Sequence, residues 1–395
     1  TILAGDTSAV IDVAVLDDLD IDPNETVEVT LDAITSGEAN VAIDTAANAA
    51  AVAIDDDEIP PFTGTGAALI EISAGGGLGS STFSSNAYSI TNNSSEGVTI
   101  ASIAIDLSTA ILPDIVWDPT GSGGDATAAP FTAGPTAAAV GLIAPGNPAP
   151  VVGDNDADPL SGPLNGGWQG LNLEYSDFGA GESFTFSIDI DPNSIQGVAG
   201  AGNAGAVSGY ELIGSTVSIT FSDGPTTEQV IGSLYEEGTL GGSQAVLETG
   251  GALPAPTIEL VGSEGVDLVQ SLPGEEIDAV GTTQTIKVTG EPNAYVSLLQ
   301  MDTRLFIASG DAPFGVTPDE LPFYANEAMS GQSLNNVQLD ANGEALIDVT
   351  LLETAGSGNS PDGGLNRFIA VQSAVPYALG EAVSATSNVL VVREV

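Results

Sequence analysis

No Lys, Arg or His occurs before Lys287, so about three-quarters of this 395-residue chain carries negative charge with no side-chain cation to pair with it. Something outside the chain has to balance that charge. The excess is not a polyacid tail. Charged residues make up 15% of the sequence, against roughly 25% in ordinary soluble domains, and the anomaly is that only 4 residues are basic. A formal net charge of −50 repels itself, resists aggregation, and excludes nucleic acid and anionic membrane as partners. Bound cations or a salty medium are the natural counterweights. The plainer explanation is solubility in a marine or saline habitat.

With 42% hydrophobic residues the chain can build real cores, and its length allows about two to four domains. It has 49 Gly and 23 Pro, plentiful Ser, Thr, Asn and Val, and no long stretch with a 3.6-residue apolar period. That punctuation belongs to short strands and turns, and the expected class is all-β, as tandem β-sandwich domains. Cys is absent, so disulfides and thiolate metal sites are excluded; stability must come from core packing, with oxygen-ligated metal the further source still open to the chain. No apolar run reaches the roughly 18 residues that would span a bilayer. No basic segment leading into an apolar one opens the chain, so a mature protein or an excised piece of one is expected.

The first 58 residues alternate clearly. Val10, Asp12, Ala14 and Leu16 interleave with Ile11, Val13 and Val15; Val27, Val29 and Leu31 point one way while Thr26, Glu28 and Thr30 point the other. These are strands. Acidic clusters lie at strand ends, one over residues 17–25 and one at Asp55, Asp56, Asp57 and Glu58. Carboxylates packed so densely into turns repel one another unless a divalent cation takes them as ligands, and Ca²⁺ takes six to eight oxygens from just such flexible loops. A solvated acidic surface without metal is the alternative.

The strand 10–16, the acidic turn 17–25, the strand 25–31 and the closing Ile54-Asp55-Asp56-Asp57 resemble the C-terminal half of a Calx-beta domain. That family is an immunoglobulin-like β-sandwich of sodium–calcium exchangers and large bacterial surface proteins, several of which bind Ca²⁺ at one end. The resemblance implies ligands at Asp17, Asp18, Asp22 and Glu25 from the first loop and at Asp55, Asp56 and Asp57 from the last. Asp20 falls where the family can offer a backbone carbonyl. The first strands of that domain, and an early loop that can supply another acidic ligand, are missing from this sequence. A half-sandwich exposes long sheet edges, so either the sequence starts mid-domain or another chain supplies the missing strands by β-augmentation.

Ile59-Pro60-Pro61-Phe62 and the Gly-Thr alternation after it read as a linker over 59–66, and a central β-sandwich is expected over 67–252. Strands are expected at 68–72, 87–91, 99–107, 170–175, 183–190, 215–222 and 228–234. A Gly-, Ala- and Pro-rich stretch from 120 to 167 interrupts them, long enough to be functional or assembly-related. Asp189 and Asp191 share a strand face, and Asp154, Asp156 and Asp158 have the spacing of a short cation loop. Each group is either a weaker metal site or a solvated face. Neither has the Gly and terminal Glu of an EF-hand. Trp117 and Trp168, with Tyr175 and Phe178 nearby, could stack on sugar rings, although buried sandwich aromatics read identically. At fold level only, this region resembles the secreted β-sandwich modules of bacterial surface and carbohydrate-binding proteins.

An immunoglobulin-like sandwich is expected over 253–395, with strands at 257–261, 284–289, 295–300, 345–351, 368–373 and 387–392. All four basic residues, Lys287, Arg304, Arg367 and Arg393, fall here. Either they are ordinary surface charges, or they let this end meet the acidic end of a neighbour in a propagating head-to-tail contact. The last strand is apolar on both faces, which suits closing its own sheet or entering another subunit.

Without His or Cys, histidine triads, cysteine nucleophiles and zinc hydrolase sites are excluded. A carboxylate pair could hydrolyse glycosides, but nothing singles one out, and no phosphate-binding loop is present. The expectation is a non-enzymatic structural or adhesive subunit of a bacterial extracellular filament, sheath or surface matrix, with calcium as cofactor and like subunits as partners. The alternative is a carbohydrate-binding segment of a larger secreted protein, taking polysaccharide; plain spacer domains are the third reading.

Overall fold

The structure, a computed structural model, describes residues 26–35, 40–53, 61–73, 82, 85–111, 115–124, 127–143, 151–152, 157–158, 162–163, 167–193, 207–236, 242–251, 253–261, 276–279, 281–302, 332–351 and 365–394. Among these the regular elements are β-strands and short 3-10 turns, with no α-helix. The chain forms two compact units, Thr1–Phe62 and Thr63–Val395.

In the first unit, β1 (Thr26–Thr30) and β2 (Ala49–Ala53) pair antiparallel, from Thr26 opposite Ala53 to Thr30 opposite Ala49. Val27 and Val29 are half-buried while Thr26, Glu28 and Thr30 are exposed, so the alternation has a physical readout. The Leu31 N–H continues the ladder to the Asn48 carbonyl at 2.7 Å. Apolar side chains remain open to water here, Leu31 at 58%, Val41 at 60% and Val52 at 68% exposure. The expected strand 10–16 and both acidic clusters lie outside the described residues.

The second unit holds two sandwiches. In the first, β3 (Ala67–Ser73), β4 (Tyr88–Asn92), β7 (Thr132–Ala133), β12 (Ser183–Ser187), β16 (Tyr235–Glu236) and β17 (Gly242–Glu248) form one sheet in the order β16-β17-β3-β4-β12-β7. Facing it, β5 (Thr99–Asp106), β8 (Val151–Val152), β11 (Gly170–Phe178), β14 (Thr216–Ser222) and β15 (Thr227–Ser233) are ordered β15-β14-β5-β11-β8. Two small pairs accompany them, β6 (Ile115–Trp117) with β13 (Ile190–Pro192), and β9 (Ala157–Asp158) with β10 (Gly162–Pro163). Alternate residues meet between the sheets: Ile70, Ile72, Ile90, Phe184 and Phe186 from one, Leu171, Leu173, Val217, Ile219 and Phe221 from the other, all buried. On β5 the buried isoleucines are Ile100, Ile103 and Ile105, a spacing that breaks period two. A bulge explains it, because Phe221 faces Ile100 and Thr220 faces Ser102, leaving Ala101 unpaired.

The segment expected to be a linker is fastened at its second half. Thr63 donates its N–H and hydroxyl to the Asp223 carboxylate, at 2.9 and 3.1 Å, and Gly66 exchanges bonds with Thr249. The unit boundary accordingly falls at Phe62.

In the second sandwich, β18 (Thr257–Leu260), β20 (Thr283–Thr289) and β23 (Glu344–Thr350) form one sheet. The other runs β19-β25-β24-β21-β22, from β19 (Glu276–Ala279), β21 (Tyr295–Asp302), β22 (Gln332–Gln338), β24 (Leu365–Ser373) and β25 (Leu390–Glu394). Every pair is antiparallel except β19 with β25. A first, third and later strand on one sheet and the remaining strands on the other is the division of an immunoglobulin-like sandwich. Its core holds Ile258, Ile286, Val288, Val296, Leu298, Val349, Phe368, Ala370, Leu390 and Val392. The last strand therefore closes its own sheet.

β24 is buried on both faces. Phe368 and Ala370 belong to that core, while Ile369 and Val371, pointing the other way by alternation, are equally inaccessible. A strand covered twice reads as a continuous apolar run, which is why the sequence shows Phe-Ile-Ala-Val here. What lies against Ile369 belongs to the first sandwich. A Cβ on Gly214 would fall 2.9 Å from the Ile369 Cδ1, and Gly214 has φ +95°. The residue 252/253 boundary thus separates two sandwiches packed within one compact unit.

Candidate functional site: buried carboxylates beside Trp117

β6 ends at Trp117, and Asp118 follows it into a Gly-rich turn, 120–124. Asp118 is fully buried. Its Oδ1 accepts the Ser122 N–H and its Oδ2 the Gly124 N–H, each at 2.8 Å. Its own N–H reaches the Asp189 carbonyl at 2.9 Å, tying the turn to the start of β13. Those two bonds satisfy both carboxylate oxygens with backbone donors of the turn, so that the buried side chain is not left without partners.

Asp189 and Asp191 are 4% and 3% exposed. The solvated-face expectation for them is corrected, because the turn 118–124 folds over that face. A Cβ on Gly124 would lie 1.9 Å from the Asp191 Cβ, so only glycine fits. Asn193 completes the knot by donating Nδ2 to the Gly123 carbonyl at 2.6 Å. Beneath lies Tyr88, stacked on Phe186 with centroids 4.5 Å apart and tilted against Trp117 at 5.8 Å. Its phenol is pushed far above the ordinary range, chiefly by burial; the Thr82 hydroxyl works the other way, and the charge of Asp189 adds to the rise. Among the described residues no group of three or more Asp or Glu is arranged to hold a metal ion. Through its two accepted bonds Asp118 fastens the start of the long insertion between β6 and β11.

Trp117 is fully buried, and its indole N–H donates to the Gln169 carbonyl at 3.1 Å. Its backbone exchanges both bonds with Trp168, at 2.8 and 3.1 Å. The expectation of a sugar platform at Trp117 is corrected, since neither ring face is open. Trp168 is half-buried. Tyr175 and Phe178 sit in the core, 5.0 Å apart, with Phe184 against Tyr175. Phe131, from the insertion, reaches Phe186 at 5.2 Å. Trp117, Tyr175, Phe178, Phe184 and Phe186 are packing.

The ligands implied by the Calx-beta resemblance, Asp17, Asp18, Asp22, Glu25, Asp55, Asp56 and Asp57, lie outside the described residues, as do Asp154 and Asp156. Asp158 is placed by its backbone alone, opposite Gly162. Among the cations, Lys287 lies 2.7 Å from Glu344 and 3.7 Å from Glu259 across neighbouring strands, and the Glu344 bond above all raises its pKa. Arg367 is 2% exposed in the middle of β24, so it is not an ordinary surface charge. Arg304 and the Arg393 side chain lie outside the described residues.

Two acids were not singled out in the sequence. Burial pushes the Glu211 carboxyl up to about 7, against the lowering effect of Ser208, whose N–H it accepts at 2.6 Å in the 3-10 turn Gly209–Leu212. Asp223 is held down at about 2, first by the Thr226 hydroxyl and then by the Thr63 N–H. Their local signals, Ser three residues before Glu and Asp-Gly-Pro-Thr at a hairpin, are present but common.

Sheets and sites together define an all-β protein of tandem β-sandwiches. No family model and no curated protein matches the chain. Among solved structures it is similar to Escherichia coli alpha-2-macroglobulin activated by porcine elastase, at 10% identity and a TM-score of 0.19, over 88% of this chain and 24% of that one. The chain spans about a quarter of that protein. Among the described residues no helix is long and apolar enough to cross a membrane.

Proposed function

We propose that this chain is a non-enzymatic structural or adhesive subunit of a bacterial extracellular assembly, built from tandem β-sandwiches, stabilised by calcium at the acidic turns of the N-terminal unit, and joined to like subunits by strand donation. The observation that carries this reading is the β1–β2 pair. Leu31, just after β1, and Val52 of β2 are 58% and 68% exposed, and a two-stranded sheet, which is what the described residues of this unit form, is marginal in water. Added strands from a neighbour would cover that surface and lengthen the sheet. Asp118 and Glu211 of the central sandwich support the same reading, because their buried carboxylates accept backbone N–H groups of their own turns. The excess of negative charge suits a medium rich in divalent cations.

Electron microscopy of the protein in CaCl₂ and again in EGTA tests the proposal. Regular filaments or sheets that disperse in EGTA are the expected result. Isolated particles in both solutions would overturn it.

A further inference from the structure

Among the described residues, three contacts join the two sandwiches of Thr63–Val395. At the first, the Thr386 hydroxyl donates to the Gly214 carbonyl at 3.3 Å, and Ile369 occupies the space above the Gly214 Cα. At the second, the backbone of Gly232 lies so near the Val383 carbonyl that an added Cβ would stand 3.1 Å away. At the third, the Tyr377 ring meets the buried Tyr235 ring edge-on, with centroids 5.1 Å apart and planes at 88°. Such pairs contribute beyond the area they bury.

Tyr377 projects from the connection between β24 and β25, whose first half is largely open to solvent, with Val375 and Leu379 at 48% and 61% exposure. A loop so exposed would ordinarily be mobile. This one is fixed at its base and at its tip. At the base, Gln372 and Ser384 bond through backbone and hydroxyl, and Ala370 and Ser387 do the same. At the tip, Asn336 donates Nδ2 to the Tyr377 carbonyl at 3.2 Å and accepts the Tyr377 N–H on Oδ1. Asn336 can turn outward because it lies in a bulge: Val337 faces Val296 and Leu334 faces Leu298, so two residues of β22 oppose one of β21. Its φ of +66° is the left-handed conformation that asparagine tolerates.

We infer that the Asn336–Tyr377 clamp is a latch that holds the second sandwich on the first in one orientation, making Thr63–Val395 a rigid body whose stiffness needs no metal. None of the three contacts involves a carboxylate, so the latch acts independently of calcium at the N-terminal unit.

Because the chain has no Cys, a pair introduced at the exposed Glu96 and Ala341, one in each sandwich, can be spin-labelled without background. In the full chain, electron–electron resonance is expected to give one narrow distance distribution, the same in CaCl₂ and EGTA. Asn336→Gly keeps the positive φ while removing both clamp bonds, and Tyr377→Ala removes the ring; each is expected to lose the single narrow distance. Protected amides in β21 and β24 would show that the second sandwich itself stays folded. Because its side chain is exposed and glycine suits its backbone, Asn336→Gly carries the test even if Tyr377→Ala unfolds. A broad distribution in the parent protein, narrowing only with calcium, would overturn the inference, as would Asn336→Gly leaving the narrow distance intact.

Discussion

Asp191 stands where any side chain on Gly124 would have to go, 1.9 Å from the position of such a Cβ. The contact joins a β-strand residue to a turn made almost entirely of glycine and serine. Gly124→Ala must push Asp191 aside or break the two bonds that Asp118 makes to the turn. Overpacking of this kind costs about 1–3 kcal/mol. Urea unfolding followed by tryptophan emission would show it directly, since Trp117 and Trp168 both lie in this sandwich; an unchanged midpoint would mean that the turn is free to move.

Asp118 takes N–H groups from the turn on both of its oxygens. Asp118→Ala leaves two donors without an acceptor in a buried place, a loss of about 3 kcal/mol. Asp118→Asn is expected to fall between, keeping one acceptor oxygen. Equal stability of the three proteins by chemical denaturation would show that water replaces the carboxylate freely.

Glu211 makes stability depend on pH in the sense opposite to most acids. Its carboxyl is raised from 4.5 to about 7 by burial, so the folded chain binds a proton that the unfolded chain has already lost between those values. Its contribution is therefore favourable below pH 4.5 and declines as pH rises through about 7, by roughly 3 kcal/mol in all. Glu211→Gln keeps an oxygen for the Ser208 N–H and removes the charge. It should stabilise the protein at pH 8 and leave it unchanged at pH 4, in melting curves measured side by side.

Asp223 has the usual sign. Its carboxyl is lowered from 3.8 to about 2, so the stability it adds is present above pH 3.8 and is lost as pH falls through about 2. Asp223→Asn should free the strand entry at Thr63 without affecting the rest of the sandwich. Amide exchange at Thr63 and Thr226, whose N–H groups both donate to this carboxylate, reads this locally; continued protection in the variant would show that its charge is dispensable.

Calcium is expected to raise the melting temperature of the N-terminal unit by mass action, whereas NaCl at equal ionic strength only screens charge. Identical curves in the two salts would remove site binding from the proposal.

Much of the sandwich architecture was legible because Val, Ile and Phe alternate so plainly in β3, β14 and β20. β17 was not, although it lies in the middle of its sheet: Gly242-Ser243-Gln244-Ala245 offers no β-branched residue, and only its neighbours decide its fate. β22 escaped notice for the same reason, being largely Gln, Asn and Ser. The acids misled in another way. Asp189 and Asp191 alternate as surface residues do, and what buries them is a distant turn that sequence spacing cannot bring near. Trp117 shows the converse limit, since an indole on a short strand reads alike whether it faces a ligand or the core.

The position of β25 between β19 and β24 has a consequence for the order in which the chain acquires its shape. A ribosome delivers β17 before β18, so the first sandwich has all of its strands while the second has none. The second cannot close its larger sheet until β25 arrives to pair with β24 just before it and with β19, made long before, and such distant pairings form slowly. During that interval Gly214, Gly232 and Tyr235 lie uncovered on a finished neighbour, a surface that a holding factor could shield or another nascent chain could capture by mistake.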